Sequence, residues 1–199
     1  MTMLRIRTAR MLARHDGWTH GIGPEYGNRV SAVLDSLGIL PELITARSLV
    51  LCEEAGDLVT VEIDGNAREH RLVPAAAIAW RAMRAAALSD DITLEIVSAF
   101  RSVEHQAKII RRKLQAGLSL PQILTVNAPP GFSEHHTGRA IDITTPGAKA
   151  LENEFDGTPA FQWLSGNATS FGFTLSYPRN NQHGYLYEPW HWCYRASAA

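Results

Sequence analysis

The segment Ser133-Glu134-His135-His136-Thr137-Gly138-Arg139-Ala140-Ile141-Asp142 gathers metal-ligand side chains beside small residues. Residues 140–143 alternate small or polar with apolar side chains. This pattern predicts a strand with Asp142 on one face and the two neighbouring isoleucines in the core. His135 precedes this strand on a predicted loop, where Gly138 permits the backbone to fold back. The imidazole of His135 and the carboxylate of Asp142 are therefore expected to converge.

A second segment, Tyr187-Glu188-Pro189-Trp190-His191-Trp192, supplies a third donor. Catalytic zinc sites use three protein ligands and keep one position open, and imidazole nitrogen and carboxylate oxygen are usual donors. Pro189 disfavours helix at Glu188, so an extended or turned chain should present Glu188 and His191 toward one cavity. A zinc hydrolase also needs a carboxylate near the metal but not bound to it, which is the role predicted for Glu188. The predicted zinc ligands are His135, Asp142 and His191.

Together, Ser-x-His-x-x-Gly-x-Ala-x-Asp at residues 133–142 and Glu-x-Trp-His at residues 188–191 resemble the zinc D-Ala-D-Ala carboxypeptidases of the VanY/VanX type. The metal site of these enzymes is related to that of the Hedgehog signalling domain. The segment Ser98-Ala99-Phe100-Arg101-Ser102 is similar to the family's Ser-Gly-Tyr-Arg-Ser, with Ala and Phe in place of Gly and Tyr. The resemblance covers residues 72–195 and implies a zinc peptidase that acts on cell-wall peptides ending in D-alanine.

The resemblance also implies roles for residues that do not bind the metal. Amide hydrolysis passes through an oxyanion, and a substrate with a free C-terminus presents a carboxylate; both attract a fixed guanidinium. Arg101 matches the family arginine that stabilises the substrate or the transition state. Gln106 and Ser133 match positions that help to hold the carboxyl end of the peptide. Alternatively, Gln106 satisfies a backbone group on the packed face of its helix, and Ser133 caps a turn.

His136 adjoins His135 and offers the same donor atoms, but the family register and the spacing to Asp142 favour His135. Trp192 is predicted to anchor the core, whereas the role of Trp190 is left open. The remaining histidines are predicted to be surface residues or satisfied core residues. They are His15, His20, His70, His105 and His183.

The hypothesis that follows is a zinc metallopeptidase that hydrolyses an amide at or near a D-amino acid in peptidoglycan stem peptides. Glu188 would take a proton from the attacking water and pass it to the leaving amine. One alternative is an endolysin-like L-alanyl-D-glutamate endopeptidase. Another is a zinc-stabilised binding module without turnover, although the presence of Glu188 argues against it. The expected partner is a stem peptide or muropeptide, and the sequence leaves bond specificity and oligomeric state open.

Composition limits the classes of protein that remain. With 199 residues, of which 45% are hydrophobic, the chain can form a helical extension at residues 1–45 and one peptidase domain at residues 46–199. A net charge of −1 gives no basic excess that would suggest a nucleic-acid partner. Cys52 and Cys193 are the only cysteines, which excludes a multi-disulfide scaffold but leaves a single bridge open.

The sequence shows neither an apolar run of the ~20 residues that a membrane helix needs nor the apolar core of a secretory signal. It therefore predicts a soluble protein, cytoplasmic by default, with a cell-wall substrate. Residues 1–14 are rich in arginine and lack acidic side chains. This pattern superficially resembles a transit peptide, but a basic first helix or frayed arm requires fewer assumptions.

Apolar periodicity predicts helices over residues 24–37, 74–88, 102–117 and 158–172. Alternating patterns predict strands over residues 49–52, 58–63, 71–73, 92–100, 140–143, 173–177 and 185–191. The first three strands are expected to form a small antiparallel meander. Because helices and strands alternate irregularly with hairpins, the predicted class is α+β, a mostly antiparallel sheet with helices packed against it.

Overall fold

The computed structural model describes residues 23–195, which form two compact units. The first unit contains the described residues up to Glu53 together with Val103–Ser133. The second contains Glu54–Ser102 and the described residues from Glu134 onward. The basic segment 1–14, His15 and His20 lie outside the described residues, and the predicted domain boundary at residue 45 stays a prediction.

Helices and strands follow one another along the described residues in an irregular order, and the α+β class is confirmed. The order is α1 (Pro24–Ser36), α2 (Pro41–Ala46), β1 (Val59–Ile63), β2 (Glu69–Leu72), α3 (Pro74–Ser89), β3 (Glu95–Ser98), α4 (Val103–Gln115), α5 (Leu120–Leu124), β4 (Ala140–Thr144), α6 (Pro159–Asn167), β5 (Phe173–Leu175) and β6 (His191–Tyr194). Short 3-10 helices lie at Glu134–Thr137, Asn153–Gly157 and Ala168–Phe171. Every helix in this part of the chain is too short or too polar to cross a membrane.

The first unit is helical. Helices α1 and α2 both begin at a proline, which lacks the N–H that would have no partner in the first turn. The predicted strand at 49–52 is wrong, and with it the three-stranded meander. The N–H of Cys52 donates to the carbonyl of Gly131 at 2.7 Å, and the carbonyl of Cys52 accepts from the Tyr26 hydroxyl at 2.5 Å. This apolar stretch thus finds partners outside any sheet.

The second unit combines a hairpin, a sheet and helix α3. Strands β1 and β2 pair as an antiparallel hairpin, and the four-stranded sheet has the order β3-β4-β6-β5 with all neighbours antiparallel. Helix α3 buries one face, which includes Trp80 and Met83, in a core shared with residues of the sheet. In β4, Ile141 and Ile143 are fully buried, as the alternating pattern predicted.

The last predicted strand is displaced. The sequence predicts a strand over residues 185–191, but β6 begins only at His191. Glu188 lies in a turn before β6, because the N–H of His191 donates to the carbonyl of Glu188 at 3.1 Å. Pro189 sits inside this turn, where its fixed φ and missing N–H cost no ladder hydrogen bond.

Candidate metal centre

Three buried side chains of the second unit converge on one point. One donor atom from each of His135, Asp142 and His191 lies within 4.8 Å of the others, and the residues are only 3–4% exposed. Asp142 Oδ2 lies 3.2 Å from Nε2 of His135, and Asp142 Oδ1 lies 3.1 Å from Nδ1 of His191. The carboxylate of Asp142 therefore stands between two imidazoles.

The register of the sheet brings two of these residues together. Asp142 on β4 and His191 on β6 are direct partners in the antiparallel ladder, where side chains on the same face are close. His135 reaches the same place from the 3-10 helix that precedes β4. Gly138 then turns the chain with a φ of +63°, and a Cβ there would lie 2.8 Å from Leu58 Cδ2. The positive φ therefore favours glycine at this turn.

The ring of His135 is oriented by the backbone. Its Nδ1–H donates to the carbonyl of Ala99 at 2.7 Å, which leaves the lone pair on Nε2, the nitrogen that faces Asp142. Burial lowers the pKa of His135 below its ordinary value, which favours the neutral ring that metal binding requires.

His191 presents the opposite nitrogen. Its Nδ1 faces Asp142, whereas its Nε2 lies 3.0 Å from Oε2 of Glu134. Burial alone would lower the pKa of His191, but the hydrogen bonds and charges of Asp142 and Glu134 raise it to about 10. Burial alone would raise the pKa of Asp142, but the two histidines hold it well below its usual range. Without metal, Asp142 and His191 therefore form a buried ion pair.

This donor set fits zinc. Two imidazole nitrogens and one carboxylate oxygen are usual catalytic zinc ligands. Each histidine also engages its other ring nitrogen with an oxygen, as metal-bound histidines almost always do. Among the described residues this is the group of His, Cys, Asp and Glu side chains with donor atoms close enough to share an ion.

Glu188 stands beside the cluster. Its Oε2 lies 3.9 Å from Nδ1 of His191, farther than the 3.1 Å that separates the same nitrogen from Asp142. Burial raises the pKa of Glu188 to about 7. A carboxyl group with a pKa near neutrality can both take up and release a proton, as general acid–base catalysis requires.

Arg101 points at the same carboxylate. Its Nη2 lies 3.7 Å from Asp142 Oδ2 and donates to the Ser98 hydroxyl at 2.9 Å. Ser98 pairs with Asp142 across β3 and β4, next to an irregularity in the register that follows Ile96. Bulges of this kind often re-aim side chains beside active sites. Burial lowers the pKa of Arg101, but a guanidinium stays charged in proteins.

His136 lies outside the group of three converging donors. Its Nδ1–H donates to the carbonyl of Arg101 at 2.5 Å, and the N–H of Arg101 donates to the carbonyl of His135 at 3.2 Å. Burial lowers the pKa of His136 to about 4, so its ring is neutral near pH 7. His136 thus fixes the backbone of Arg101.

Gln106 and Ser133 belong to the first unit and are both buried. The amide of Gln106 donates to the carbonyl of Ala128 at 2.7 Å, which satisfies a backbone group as the alternative interpretation expected. The predicted contacts of both residues with a peptide stay predictions. Trp192 is a core residue whose Nε1 donates to the carbonyl of Pro189 at 3.0 Å, and Trp190 is partly buried against that core.

Sequence reasoning missed the environment of His191. Glu134 accepts from Ser176 Oγ at 2.5 Å and pairs with Arg195, and the ring of Tyr177 lies 4.7 Å from that of His191. Burial alone would raise the pKa of Glu134, but the hydrogen bond and charge of His191, with Ser176 and Arg195, lower it below its usual range. The available signal was an acidic residue directly before a predicted ligand histidine.

Comparison with known proteins identifies the family. A family model described as VanY, D-alanyl-D-alanine carboxypeptidase, matches residues 69–197. The chain belongs to this family, and the resemblance inferred from the two motifs is confirmed.

Curated relatives agree with this assignment. The chain is 32% identical over 145 residues to YodJ of Bacillus subtilis, which is named as a carboxypeptidase; the match covers 69% of this chain and 53% of YodJ. It is 31% identical over 119 residues to a D-alanyl-D-alanine carboxypeptidase of Enterococcus faecalis, covering 55% of this chain and 42% of the relative. The matches thus span about half the length of these relatives.

Solved structures share the fold. The LD-carboxypeptidase LdcB matches with a TM-score of 0.62 and 33% identity over 71% of this chain and 69% of its own. VanYB in complex with D-alanine-D-alanine matches with a TM-score of 0.56 and 27% identity, covering 73% and 81%. A VanY D,D-pentapeptidase mutant in complex with Zn(II) matches with a TM-score of 0.53 and 26% identity, covering 72% and 86%.

Proposed function

We propose that this chain is a zinc-dependent carboxypeptidase that hydrolyses the amide before a C-terminal D-amino acid in peptidoglycan stem peptides. The observation that carries the proposal is the convergence of His135, Asp142 and His191, with the carboxyl group of Glu188 3.9 Å from His191 Nδ1. Membership of the VanY family and similarity to a VanYB structure that holds D-alanine-D-alanine support the substrate class.

In this proposal Nε2 of His135, the Asp142 carboxylate and Nδ1 of His191 hold the metal. Similarity to a VanY structure that contains Zn(II) supports zinc as the ion. Zinc, when bound, polarises a substrate carbonyl and lowers the pKa of water. The buried position of the three ligands limits the access of bulk solvent, which strengthens electrostatic interactions in the site.

Glu188 moves the proton. As a carboxylate it accepts a proton from the attacking water, and as a carboxylic acid it gives that proton to the leaving amine. Its raised pKa suits both steps, because a group poised near neutral pH is neither too weak a base nor too weak an acid.

Arg101 supplies positive charge. The hydrogen bond to Ser98 and the fixed backbone aim the guanidinium toward Asp142, so it can meet negative charge that forms beside the cluster. It would stabilise the oxyanion of the transition state or hold the free carboxylate of the substrate. The roles inferred for Gln106 and Ser133 at the carboxyl end of the peptide remain predictions.

An L,D-specific enzyme is the second candidate, because the similar structure with 33% identity is an LD-carboxypeptidase. The L-alanyl-D-glutamate endopeptidase and the non-catalytic module are less favoured. None of the relatives described for this chain is named as an L-alanyl-D-glutamate endopeptidase. A non-catalytic module would not need the buried carboxyl group of Glu188 beside the cluster.

The test is to incubate the zinc-loaded protein with defined muropeptides and to weigh the products by mass spectrometry. Pentapeptide stems that lose one D-alanine would establish D,D-activity, and tetrapeptide stems that lose one would establish L,D-activity. Cleavage between L-alanine and D-glutamate would overturn the carboxypeptidase proposal, as would zinc binding without any cleavage. The exposed Glu69 provides a control, since Glu69→Gln should leave each activity unchanged.

A further inference from the structure

The two nitrogens of the His191 ring meet two different carboxylates. Nδ1 lies 3.1 Å from Asp142 Oδ1, and Nε2 lies 3.0 Å from Glu134 Oε2. The nitrogens of an imidazole point in diverging directions, so Glu134 stands on the edge of the ring that faces away from the three converging donors. Glu134 therefore contacts His191 but does not belong to the group of three converging donors.

Aromatic neighbours leave the in-plane orientation of the His191 ring undetermined. The ring of His135 meets it edge-on at 4.9 Å and 85°, and the ring of Tyr177 lies at 4.7 Å and 39°. Such contacts restrict tilt, but a half-turn about the Cβ–Cγ bond would keep them. The same half-turn would point a carbon at Glu134 and remove its hydrogen bond. The half-turn would also place a carbon in the position of Nδ1 opposite Asp142, so both carboxylates favour the observed orientation. Glu134 is the one of the two that is not a predicted metal ligand.

Glu134 is itself held in place. Its Oε2 accepts from the Ser176 hydroxyl at 2.5 Å, and its Oε1 pairs with the guanidinium of Arg195. The Glu134 side chain is 17% exposed and that of His191 is 3% exposed, so this is not a fully solvated surface pair. An anchored carboxylate accepts only from an N–H, so in the neutral ring that binds a metal the proton would lie on Nε2 and the lone pair on Nδ1.

We propose that Glu134 is a positioning residue for His191: anchored by Ser176 and Arg195, it fixes the ring orientation and the tautomer that present Nδ1 to the metal. The inference rests on the proposed function, because it assumes that His191 binds zinc. It gives the 3-10 helix at Glu134–Thr137 two tasks, since this turn supplies one histidine ligand directly and orients the other through Glu134.

The affinity for zinc tests the proposal without reference to turnover. Competition with a chelator of known affinity should show that Glu134→Ala binds zinc about 10–100-fold more weakly than the parent, the usual cost of losing such a partner. The zinc affinity of Glu134→Gln should lie between those of the parent and Glu134→Ala, because the glutamine amide can present either an acceptor or a donor to Nε2. Arg195→Ala should weaken zinc binding by up to about fivefold, since the Arg195 side chain is partly exposed. Glu69→Ala, at an exposed glutamate of β2, is the matched control and should change nothing.

Ring-nitrogen NMR separates positioning from general damage. In the zinc-loaded parent, His191 should carry its proton on Nε2 and exchange it slowly with solvent. Glu134→Ala should speed that exchange, while the signals of His135, whose Nδ1–H donates to the Ala99 carbonyl, should stay unchanged. These signals report on the tautomer, which a merely structural role for Glu134 would not alter.

Three results would count against specific parts of this picture. Parent-like zinc affinity and an unchanged His191 signal in Glu134→Ala would overturn the positioning role while leaving the zinc peptidase intact. Equal disturbance of the His135 and His191 signals would also overturn it, because the loss would then be general. If the parent itself bound zinc no better than His135→Ala does, the proposed function would fail first. If Glu134→Ala does not fold, the zinc affinity and the His191 signal are measured in Glu134→Gln and Arg195→Ala instead, and the same results decide.

Discussion

The turn before β4 and the turn before β6 each deliver one histidine to the same cluster, but they fix it by different means. His135 donates from Nδ1 to a backbone carbonyl, that of Ala99. His191 donates from Nε2 to a side chain, that of Glu134. A backbone acceptor survives any substitution that preserves the fold, whereas a carboxylate can be altered by one mutation. The two ligands should therefore differ in how easily their metal affinity is tuned.

That difference should disappear when a ligand itself is removed. His135→Ala, Asp142→Ala and His191→Ala should each weaken zinc binding by more than the ~100-fold upper limit for an outer partner, and turnover should be lost with the metal. Metal analysis after dialysis provides the measurement. If His136→Ala emptied the site while His135→Ala left it full, the assignment of the ligand on the β4 side would be wrong.

Glu188 precedes β6 but is not predicted to bind the metal, so its removal should separate turnover from zinc content. Glu188→Gln keeps the size of the side chain and removes the base. Turnover should fall by about 10²–10⁴-fold, as is typical of lost acid–base assistance, while bound zinc stays near the parent value. Steady-state kinetics and metal analysis on one preparation decide the matter. Loss of zinc would make Glu188 a ligand, and unchanged turnover would exclude it as the base.

Arg101 is tied to the β4 side by the backbone of His135 and by His136. Arg101→Ala should retain zinc and lose about 10²–10³-fold in kcat/KM, the range for removal of one transition-state donor. Arg101→Lys should recover only part of this loss, because an ammonium lacks the bidentate geometry of a guanidinium. Unchanged kcat/KM in Arg101→Ala on the best peptide would remove this residue from the site.

The pH dependence of the metal-free protein should reveal the burial of Glu188. Because its folded pKa is raised from 4.5 to about 7, protonated Glu188 contributes stability below pH 4.5 that is lost as pH rises through 7. Relative to the parent, Glu188→Gln should therefore gain about 1–3 kcal/mol in unfolding free energy between pH 4.5 and 8. Denaturant unfolding with a chelator present measures this. If the difference in unfolding free energy between the parent and Glu188→Gln stayed the same from pH 4.5 to 8, the raised pKa of Glu188 would be contradicted.

Substitution of Gly138 should have the smallest effect of these changes. Gly138 lies in the turn before β4, where a backbone carbonyl orients His135. Its φ of +63° disfavours any L side chain, and a Cβ would approach Leu58 Cδ2 at 2.8 Å. Gly138→Ala should cost about 1–2 kcal/mol in unfolding free energy. Gly65→Ala is a control, since open space surrounds that position and its φ lies outside the left-handed region. If Gly138→Ala and Gly65→Ala lost the same unfolding free energy, the positive φ of Gly138 would not be the cause of the loss.

Local patterns predicted most elements of the described chain. Helices α1, α3 and α4 and strand β4 follow from periodicity and from proline or glycine at their ends, because these signals lie within the elements themselves. The strand expected at 49–52 is absent, since an apolar stretch does not reveal whether its partner is a strand or, as here, the Gly131 carbonyl. The displacement of β6 has the same origin, because the turn at Glu188 depends on hydrogen bonds and not on apolar alternation.

The sequence by itself determined the residue types of the cluster and their spacing, since a catalytic zinc site demands few donor types and His135, Asp142, Glu188 and His191 fall within two short segments. Only the tertiary structure decided which ring nitrogen each histidine presents and that Glu134 orients His191. Asp142 and His191 are 49 residues apart in the chain, and Glu134 and His191 are 57 apart. Such contacts arise from strand register and side-chain packing, which the order of residues in either segment does not encode.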